Sequence, residues 1–267
     1  LRHYLLAVQF FTRIPVTGRL ADWVGYSPAM LRASAAHFPG VGWLAAALSC
    51  AVFALLHQWL GAQQPLASLV AAVLCTVATV MMTGGFHEDG LADVADGLGG
   101  SYDRERALDI MKDSRIGAFG AMALVLALLA KVSLLALLGA HSLGAALAAL
   151  AGGHVLSRLW PLFIVRWLPH VGDTARSKSK PLADQISRGA LAAAALWCFV
   201  PLALVYQAQA ATFLIASITV SMVAATWMGR WFARRLQGFT GDCLGATQQV
   251  GEIGFYLGAA LALGAAR

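Results

Sequence analysis

Long apolar runs alternate with short polar segments along the whole chain. Seven runs are present, at residues 41–60, 66–84, 117–138, 145–165, 189–207, 213–228 and 250–266. Most of them approach the roughly 20 residues that an α-helix needs to cross about 30 Å of hydrocarbon. The pattern therefore predicts an all-α protein, a polytopic membrane helix bundle of about seven transmembrane helices.

Composition supports the same class of protein. Hydrophobic residues make up 59% of the 267 positions and charged residues only 12%, whereas a typical soluble domain has about 25% charged residues. The length suits one bundle of this size, and no segment has the composition of a separate soluble domain. We therefore expect a single integral membrane domain over residues 1–267, embedded in a lipid bilayer.

The basic residues predict the orientation in the membrane. Sixteen of the 19 Lys and Arg lie in the N-terminal segment and in three alternate loops, and the loops between these hold none. Because basic loops stay in the cytoplasm, the N-terminus and residues 84–120 are expected there. The same bias explains the net charge of +6, so no nucleic-acid partner is expected. Arg158 and Lys131 fall inside apolar runs, where Arg158 needs a partner and Lys131 can snorkel outward.

The candidate chemistry is concentrated in one acidic helical loop. Eight of the 13 Asp and Glu lie between residues 85 and 116, and such crowding of like charges favours a bound cation. On a helix, two series of these residues form stripes. The first stripe is Asp89, Asp93 and Asp96, and the second is Glu105, Asp109 and Asp113. Carboxylate oxygens suit Mg²⁺, which keeps coordination positions open for phosphate.

Glycines frame the first stripe. The segment 84–97 contains Gly84, Gly85, Gly90 and Gly97, which give the backbone freedom and let a ligand approach closely. A carboxylate stripe that begins where an apolar run ends suits a substrate with a polar head and a membrane-associated body. The alternative is a solvated acidic loop that merely keeps a helix pair soluble, and the spacing and the glycines favour the cation site.

Five further residues are candidates for binding a substrate, each with a simpler alternative. Arg115 could bind a phosphate or form a salt bridge within the acidic cluster. Lys178 and Lys180 could contact phosphates or simply mark a cytoplasmic loop. Asp242 could complete the site or cap the last helix. His87 could bind a substrate or serve as a structural residue at a helix interface.

Several segments resemble one known family. The resemblance is to cobalamin synthase, the adenosylcobinamide-GDP ribazoletransferase family, and it lies in GGFHEDGLADVADG (84–97), MKDSRIGAFG (111–120), TGDCLGATQQVGE (240–252), FFTRIPV (10–16) and HFPGVG (37–42). It implies a Mg²⁺-dependent enzyme of the bacterial inner membrane. It also implies that adenosylcobinamide-GDP reacts with α-ribazole, or its 5′-phosphate, to give adenosylcobalamin, or its 5′-phosphate, and GMP.

This reaction suggests roles for the acidic residues. Four of them are expected to be catalytic and to hold one or two Mg²⁺, with Asp109 as a further metal ligand: Asp89, Asp93, Asp96 and Asp113. Asp113 is also the preferred proton acceptor. A second, partial resemblance relates the pairs Asp93–Asp96 and Asp109–Asp113 to the paired aspartates of CDP-alcohol phosphotransferases.

Two positions depart from the family pattern, and three rival functions remain. Gln249 stands where the family has an acid and Glu88 where it has an apolar residue, so both are left out of the site. A transporter is the first rival, because intramembrane charges and glycine-broken helices mark transport sites. A structural scaffold and a CDP-alcohol phosphotransferase proper are the others. The preferred acceptor and the formation of a homo-oligomer stay open.

Overall fold

The computed structural model of the protein describes residues 1–61, 63–172 and 186–265. These residues form α-helices joined by short links, with a 3₁₀ turn at Ala35–His37 and no β-strand. The α-helices are α1 (Arg2–Phe11), α2 (Gly18–Val24), α3 (Pro28–Ser34), α4 (Phe38–Trp59), α5 (Ala67–Thr83), α6 (Phe86–Gly100), α7 (Arg104–Ile110), α8 (Ala118–His141), α9 (Leu143–Leu156), α10 (Trp160–Trp167), α11 (Arg188–Ala208), α12 (Ala211–Arg235) and α13 (Gly241–Ala265). The predicted all-α fold is confirmed.

Five helical segments in the described part of the chain are long and apolar enough to cross a membrane. They are Pro28–Trp59, Ala118–His141, Leu143–Trp167, Arg188–Ala208 and Ala211–Arg235. A sixth candidate is the pair α5 and α6, which is bent by 90°. The membrane character is therefore supported, whereas the predicted count of seven spans is not confirmed.

The run at 250–266 belongs to α13, the helix at the centre of the bundle. α13 packs along α12 and also contacts α6, α8, α9 and α10. Its buried residues include the polar side chains of Gln248, Gln249 and Glu252. Close packing on α12 depends on Gly258, because a Cβ there would meet the backbone of Ala216 and Ser217. α13 is thus largely surrounded by protein as far as Tyr256, which the sequence pattern does not distinguish from a lipid-exposed span.

Two consecutive glycines form the corner between α5 and α6. Gly84 and Gly85 both have φ of +70°, a left-handed conformation that costs glycine little and other residues much more. The corner turns α6 by 90° from α5. Because α6 also carries four carboxylates, we place it along the membrane face, outside the membrane-spanning segments.

An ion cluster lies inside the bundle. Lys131 on α8 is 3% exposed, and its Nζ is 3.0 Å from Oε1 of Glu252. Tyr256 donates a hydrogen bond of 2.9 Å to the same oxygen, and Nδ1 of His154 is 3.4 Å from the other. Lys131 therefore does not snorkel outward, because a carboxylate on α13 neutralises it within the core.

Candidate active site

A cavity of about 710 Å³ opens beside the corner between α5 and α6. α1, the corner, the first half of α6 and the link between α7 and α8 supply its walls. Its polar and charged lining residues are Gln9, Thr12, Arg13, Thr83, Glu88, Asp89, Asp93 and Ser114. Two of the predicted catalytic residues, Asp89 and Asp93, thus share one cavity with a guanidinium.

α6 approaches the start of α13 through Gly90, which lies next to Asp89 in the sequence. Asp89 is exposed and Asp93 is half-buried. Gly90 lets α6 approach the start of α13, because a Cβ there would lie 2.8 Å from the carbonyl oxygen of Asp242 and 3.0 Å from its Cα. The absence of a side chain at residue 90 therefore brings Asp242 to the first carboxylate stripe, although the two lie about 150 residues apart in the sequence.

The crowding of these carboxylates changes the acidity of Asp93. Burial and nearby carboxylates, Asp242 first among them, together raise the pKa of Asp93 to about 7. A carboxyl group with such a pKa is partly protonated near neutral pH, because ionising it adds a further negative charge to a partly desolvated site. A cation bound there would remove that penalty.

Asp96 lies on the same helix but has a different environment. It is 8% exposed, and its two oxygens accept hydrogen bonds from the backbone N–H of Gly117 (2.7 Å) and Gly120 (2.8 Å). These are among the N–H groups at the start of α8 that have no partner within the helix. A Cβ on either glycine would overlap the carboxylate. The geometry therefore gives Asp96 a positioning role, since it joins α6 to the start of α8.

Replacing Asp96 with Ala is expected to lower the free energy of unfolding by about 1–2 kcal/mol, the usual cost of losing a helix N-cap. The cause is the loss of both hydrogen bonds at the start of α8. Thermal unfolding of the purified protein in nanodiscs measures the change. Ala replacement of the exposed Asp22 serves as control, and equal melting temperatures for the two variants would contradict the assignment.

The second predicted stripe is not continuous in the structure. α7 ends at Ile110, so Asp113 lies beyond the helix that carries Glu105 and Asp109. This corrects the expected helical register, because a turn at residues 111 and 112 intervenes. Asp109 pairs with Lys112 at 3.4 Å, and neither Asp109 nor Asp113 lines the cavity.

Arg115 pairs with Asp113 rather than reaching into the cavity. Its NH2 group lies 2.6 Å from Oδ2 of Asp113. This is the salt bridge within the acidic cluster that the sequence offered as the alternative to phosphate binding. The hydrogen bonds from Arg115 lower the pKa of Asp113 to about 2. A carboxylate this acidic is a poor proton acceptor at neutral pH, which argues against the role that the sequence suggested for Asp113. Lys178 and Lys180 lie outside the described residues.

The two departures from the family pattern contact each other. Nε2 of Gln249 on α13 donates a hydrogen bond of 3.0 Å to Oε1 of Glu88 on α6. Glu88 also lines the cavity, so a carboxylate is present at this contact, on α6 instead of α13. The structure thus places Glu88 at the cavity and Gln249 in contact with it, and their exclusion from the site stays a prediction. The signal was available in the sequence, since an unexpected acid and a missing acid suggest an exchange between neighbours.

Arg13 is the second residue that sequence reasoning missed. Its backbone N–H donates a hydrogen bond of 2.6 Å to the carbonyl of Met82, and its guanidinium covers the space that a side chain at Gly84 would occupy. The sequence pattern presents Arg13 only as one basic residue of the N-terminal segment, although it stands in the segment FFTRIPV that carries part of the resemblance.

The donor groups suit a hydrated cation rather than a closed cage. Among the described residues, no group of three or more His, Cys, Asp or Glu side chains is arranged as a ready-made metal site. Mg²⁺ commonly keeps several waters and binds through one or two carboxylates together with substrate phosphates. Asp89 and Asp93, with Asp242 beside them, match that requirement in donor chemistry.

A groove of about 500 Å³ lies between α10 and α12, and no carboxylate is among the described residues that line it. Trp160, Phe163 and Trp167 are among its lining residues, with Arg230 as its charged member. Phosphoryl chemistry needs charge neutralisation and in-line positioning, and this groove offers one cation in an apolar wall. The acidic cavity is therefore the candidate active site.

Comparison with known proteins identifies the family. A family model described as cobalamin-5-phosphate synthase matches residues 3–260. The chain belongs to the cobalamin-5-phosphate synthase family. The match covers α1, the acidic segment and most of α13, so the predicted resemblance is confirmed, and this member of the family is an enzyme of cobalamin biosynthesis.

Individual relatives in the cobalamin-5-phosphate synthase family are similar over nearly their whole length. The adenosylcobinamide-GDP ribazoletransferase of Polaromonas sp. is 63% identical over 98% of this chain and 97% of its own. The protein of the same name from Polaromonas naphthalenivorans is 65% identical over 98% and 99%. That of Leptothrix cholodnii is 46% identical over 96% and 94%. No solved structure gave a significant match.

Proposed function

We propose that this enzyme transfers the adenosylcobinamide phosphate of adenosylcobinamide-GDP to α-ribazole, or to its 5′-phosphate, and releases GMP. The observation that carries the proposal is the shared cavity of Asp89, Asp93 and Arg13, in a chain of this family. Two carboxylates can hold the cation that accompanies a pyrophosphate, and one guanidinium can bind its phosphate oxygens.

The reaction exchanges one P–O bond for another. The 3′-hydroxyl oxygen of the ribazole attacks the phosphorus on the cobinamide side, and the bond from that phosphorus to the bridging oxygen breaks. The bridging oxygen leaves with GMP, and the hydroxyl proton passes to solvent or a nearby base. Catalysis of such a transfer comes mainly from positioning and from neutralising the charge on the phosphoryl oxygens.

Asp89 and Asp93 would hold Mg²⁺, with Asp242 as a third carboxylate at the edge of the site. When bound there, the ion would supply charge neutralisation for the pyrophosphate and for the departing GMP. The raised pKa of Asp93 supports this assignment, because it reflects the burial of the carboxyl group together with the negative charge of nearby carboxylates, Asp242 first among them. Arg13 faces the same cavity and would hold a phosphate oxygen through its guanidinium.

Mg²⁺ binding is expected to strengthen as the pH rises from about 6 to about 8. The pKa of Asp93 is raised to about 7, so below that pH a proton must leave before a cation binds. The apparent Kd should therefore fall as the pH passes through about 7 and then level off. Calorimetric titration at a series of pH values measures this dependence.

Two variants sharpen the pH experiment. Asp242→Asn removes the neighbouring charge with the largest effect on Asp93, so the midpoint should move to lower pH. Asp22→Asn, on the exposed face of α2, should leave it in place. An affinity that is constant over the whole range would show that Asp93 does not control cation binding.

We also propose that the enzyme lies in the bacterial inner membrane with its N-terminus and active site in the cytoplasm. The distribution of Lys and Arg supports this orientation. Labelling of a single engineered cysteine at position 102, which is 95% exposed, would test it: an impermeant reagent should modify the residue in inverted vesicles and not in right-side-out ones. A homo-oligomer stays an expectation.

The function is tested with purified protein in nanodiscs. With adenosylcobinamide-GDP, α-ribazole and Mg²⁺, we expect GMP and a cobalamin product in equal amounts, and loss of both when EDTA removes the metal. A CDP-alcohol offered in place of the GDP conjugate should release no CMP. Uptake of the corrinoid into sealed vesicles without turnover would instead support a transporter.

A further inference from the structure

Besides the acidic cavity, the described part of the chain contains a crevice and a groove of very different size. His87, which is 2% exposed at the interface between α6 and α13, lines the crevice of only about 40 Å³. The groove between α10 and α12 holds about 500 Å³. Only the groove has room for a sizeable ligand, and none of its described lining residues also lines the acidic cavity.

Both walls of the groove belong to helical segments that are long and apolar enough to cross a membrane. α10 is the last part of the segment Leu143–Trp167, and α12 spans Ala211–Arg235. Two apolar lining residues, Trp167 and Met222, are 73% and 45% exposed. Because these side chains are exposed on segments of this kind, the groove opens toward the lipid chains of a bilayer rather than into the bundle.

Three aromatic rings on α10 form one wall of the groove. Trp160, Phe163 and Trp167 stand at i, i+3 and i+7, which places them on one face of a helix. Successive ring centroids lie 6.1 and 5.2 Å apart. Nε1 of Trp160 donates a hydrogen bond of 2.7 Å to Oγ of Ser221 on α12. The protein itself satisfies this indole N–H, so the wall presents apolar surface at this end of the groove.

The other end of the groove carries positive charge from the last turns of α12. Met222, Thr226 and Arg230 follow one another at intervals of four residues, and all three line the groove. Arg234 continues the same row along the helix surface. With a rise of about 1.5 Å per residue, Met222 lies about 12 Å from Arg230 along the helix axis. The groove thus leads from apolar helix surface to two guanidinium groups at the end of a span.

These two arginines have no partner among the residues that the structure describes. Neither Arg230 nor Arg234 forms a hydrogen bond or an ion pair with them, and α10 and α12 contain no Asp or Glu. Arg235 differs, because its guanidinium donates hydrogen bonds to the carbonyls of Leu98 and Ser101 at the end of α6. Arg230 and Arg234 therefore remain for an anion, and the surface of a bilayer supplies anionic headgroups.

We propose that the groove binds an anionic phospholipid, with its phosphate against Arg230 and Arg234 and one acyl chain along the aromatic wall. This site goes beyond the proposed function, since it uses neither the acidic cavity nor turnover. Arginine forms paired hydrogen bonds with phosphate oxygens, and basic pockets between membrane helices suit anionic headgroups. A zwitterionic lipid offers the same chains but brings its own cation beside the arginines, so charge favours the anionic lipid.

Two lipids that differ only in the headgroup test the charged end of the groove. Native mass spectrometry of the purified protein, titrated with phosphatidylglycerol or phosphatidylcholine of the same acyl chains, measures the affinity of the first bound lipid. The wild type is expected to favour phosphatidylglycerol at least about tenfold. Arg230→Gln should reduce this preference about fivefold, the contribution of one basic residue at an anionic surface. Arg188→Gln is the matched control, because Arg188 is exposed at the start of α11 and does not line the groove.

A groove-filling variant tests the apolar wall separately. Gly229 lines the groove, and a Cβ there would meet only Ile164, at 3.8 Å or more. A leucine at this position therefore enters the groove without a backbone clash. Gly229→Leu should weaken the first bound lipid about tenfold whatever its headgroup, because the acyl chain loses apolar contact. Gly264→Leu is the matched control, since Gly264 on α13 also has open space beside it and lies outside the groove.

Three results would overturn the lipid site. The first is an unchanged headgroup preference in Arg230→Gln, which would leave the arginines as markers of a cytoplasmic loop. The second is full displacement of phosphatidylglycerol by an equal concentration of inorganic phosphate, which would show an anion site that needs no acyl chain. The third is a dimer that Gly229→Leu converts to monomer at unchanged lipid affinity, which would make a second copy of the chain the occupant. These experiments do not measure GMP release, so their outcome is independent of the proposed function.

Discussion

Replacing Asp93 with Asn is expected to reduce kcat/KM for GMP release by about 10³-fold, the size of effect seen when a group that stabilises the charge of a transition state is removed. Asp93 lines the cavity with Asp89 and Arg13, and Asn replaces a carboxylate oxygen that would hold a hard cation with a neutral amide. Initial rates of GMP release at saturating Mg²⁺ measure the loss.

Two comparisons show whether the loss is specific. The Mg²⁺ concentration for half-maximal activity should rise in Asp93→Asn, because a ligand is missing. It should stay constant in Asp22→Asn, whose side chain is exposed on α2. If Asp93→Asn kept more than half of the wild-type rate, the carboxylates of α6 would not form the active site.

The activity of Asp113→Asn, compared with that of Asp93→Asn, tests whether the second stripe contributes to the active site. Asp113 lies beyond the end of α7, pairs with Arg115 and does not line the cavity. If the site is built on α6 and α13, this variant should lose far less activity than Asp93→Asn. Equal losses in the two variants would show that both stripes meet around the substrate.

Replacing Glu252 with Gln is expected to destabilise the protein by about 3–5 kcal/mol, as happens when one partner of a buried ion pair is removed. Glu252 is 1% exposed and accepts contacts from Lys131, Tyr256 and Gln248. The variant leaves the Lys131 ammonium without its carboxylate in the core. Thermal unfolding of the variant in nanodiscs, compared with the wild type, measures the loss.

A double variant identifies the uncompensated charge as the cause. Lys131→Met combined with Glu252→Gln removes both charges and should recover much of the lost stability, because no ion remains buried without a partner. Glu105→Gln, in which an exposed carboxylate is lost, should be close to the wild type. A double variant no more stable than Glu252→Gln would show that packing, and not charge, explains the effect.

The Glu252 cluster is connected to the active site through α13. Nε2 of Gln248 donates hydrogen bonds to Glu252 (2.7 Å) and to Ser157 (2.9 Å), and Gln249 links Gln248 to Glu88 on α6. The same helix also carries Asp242. One hydrogen-bonded chain along α13 thus joins the buried ion cluster to Glu88 at the candidate active site.

The first carboxylate stripe could be predicted because its information is local. The spacing of Asp89, Asp93 and Asp96 agrees with a helix, and α6 spans all three. The role of Asp96 could not be predicted, because its partners are two backbone N–H groups more than 20 residues away. Helix packing determines whether a carboxylate faces a ligand or accepts hydrogen bonds from backbone N–H groups.

The second stripe shows where periodicity alone misleads. The i, i+4, i+8 spacing of Glu105, Asp109 and Asp113 assumes a continuous helix, and α7 has only seven residues. Two turn residues follow Ile110 and lead into the link to α8. The stability of a short helix comes mainly from its tertiary contacts, so these contacts determine where it ends. The spacing of acidic residues contains no information about them.

The sequence by itself determined the all-α membrane class, the acidic segment and the family. Hydropathy, charge density and long motifs are properties of neighbouring residues, so they can be read without a structure. The tertiary structure decided which carboxylates meet. Gly90 brings Asp242 to α6, the glycine corner places Arg13 over the cavity, and Gln249 meets Glu88. These contacts join residues far apart in the chain, and the close packing of helices, with glycines where backbones touch, determines them.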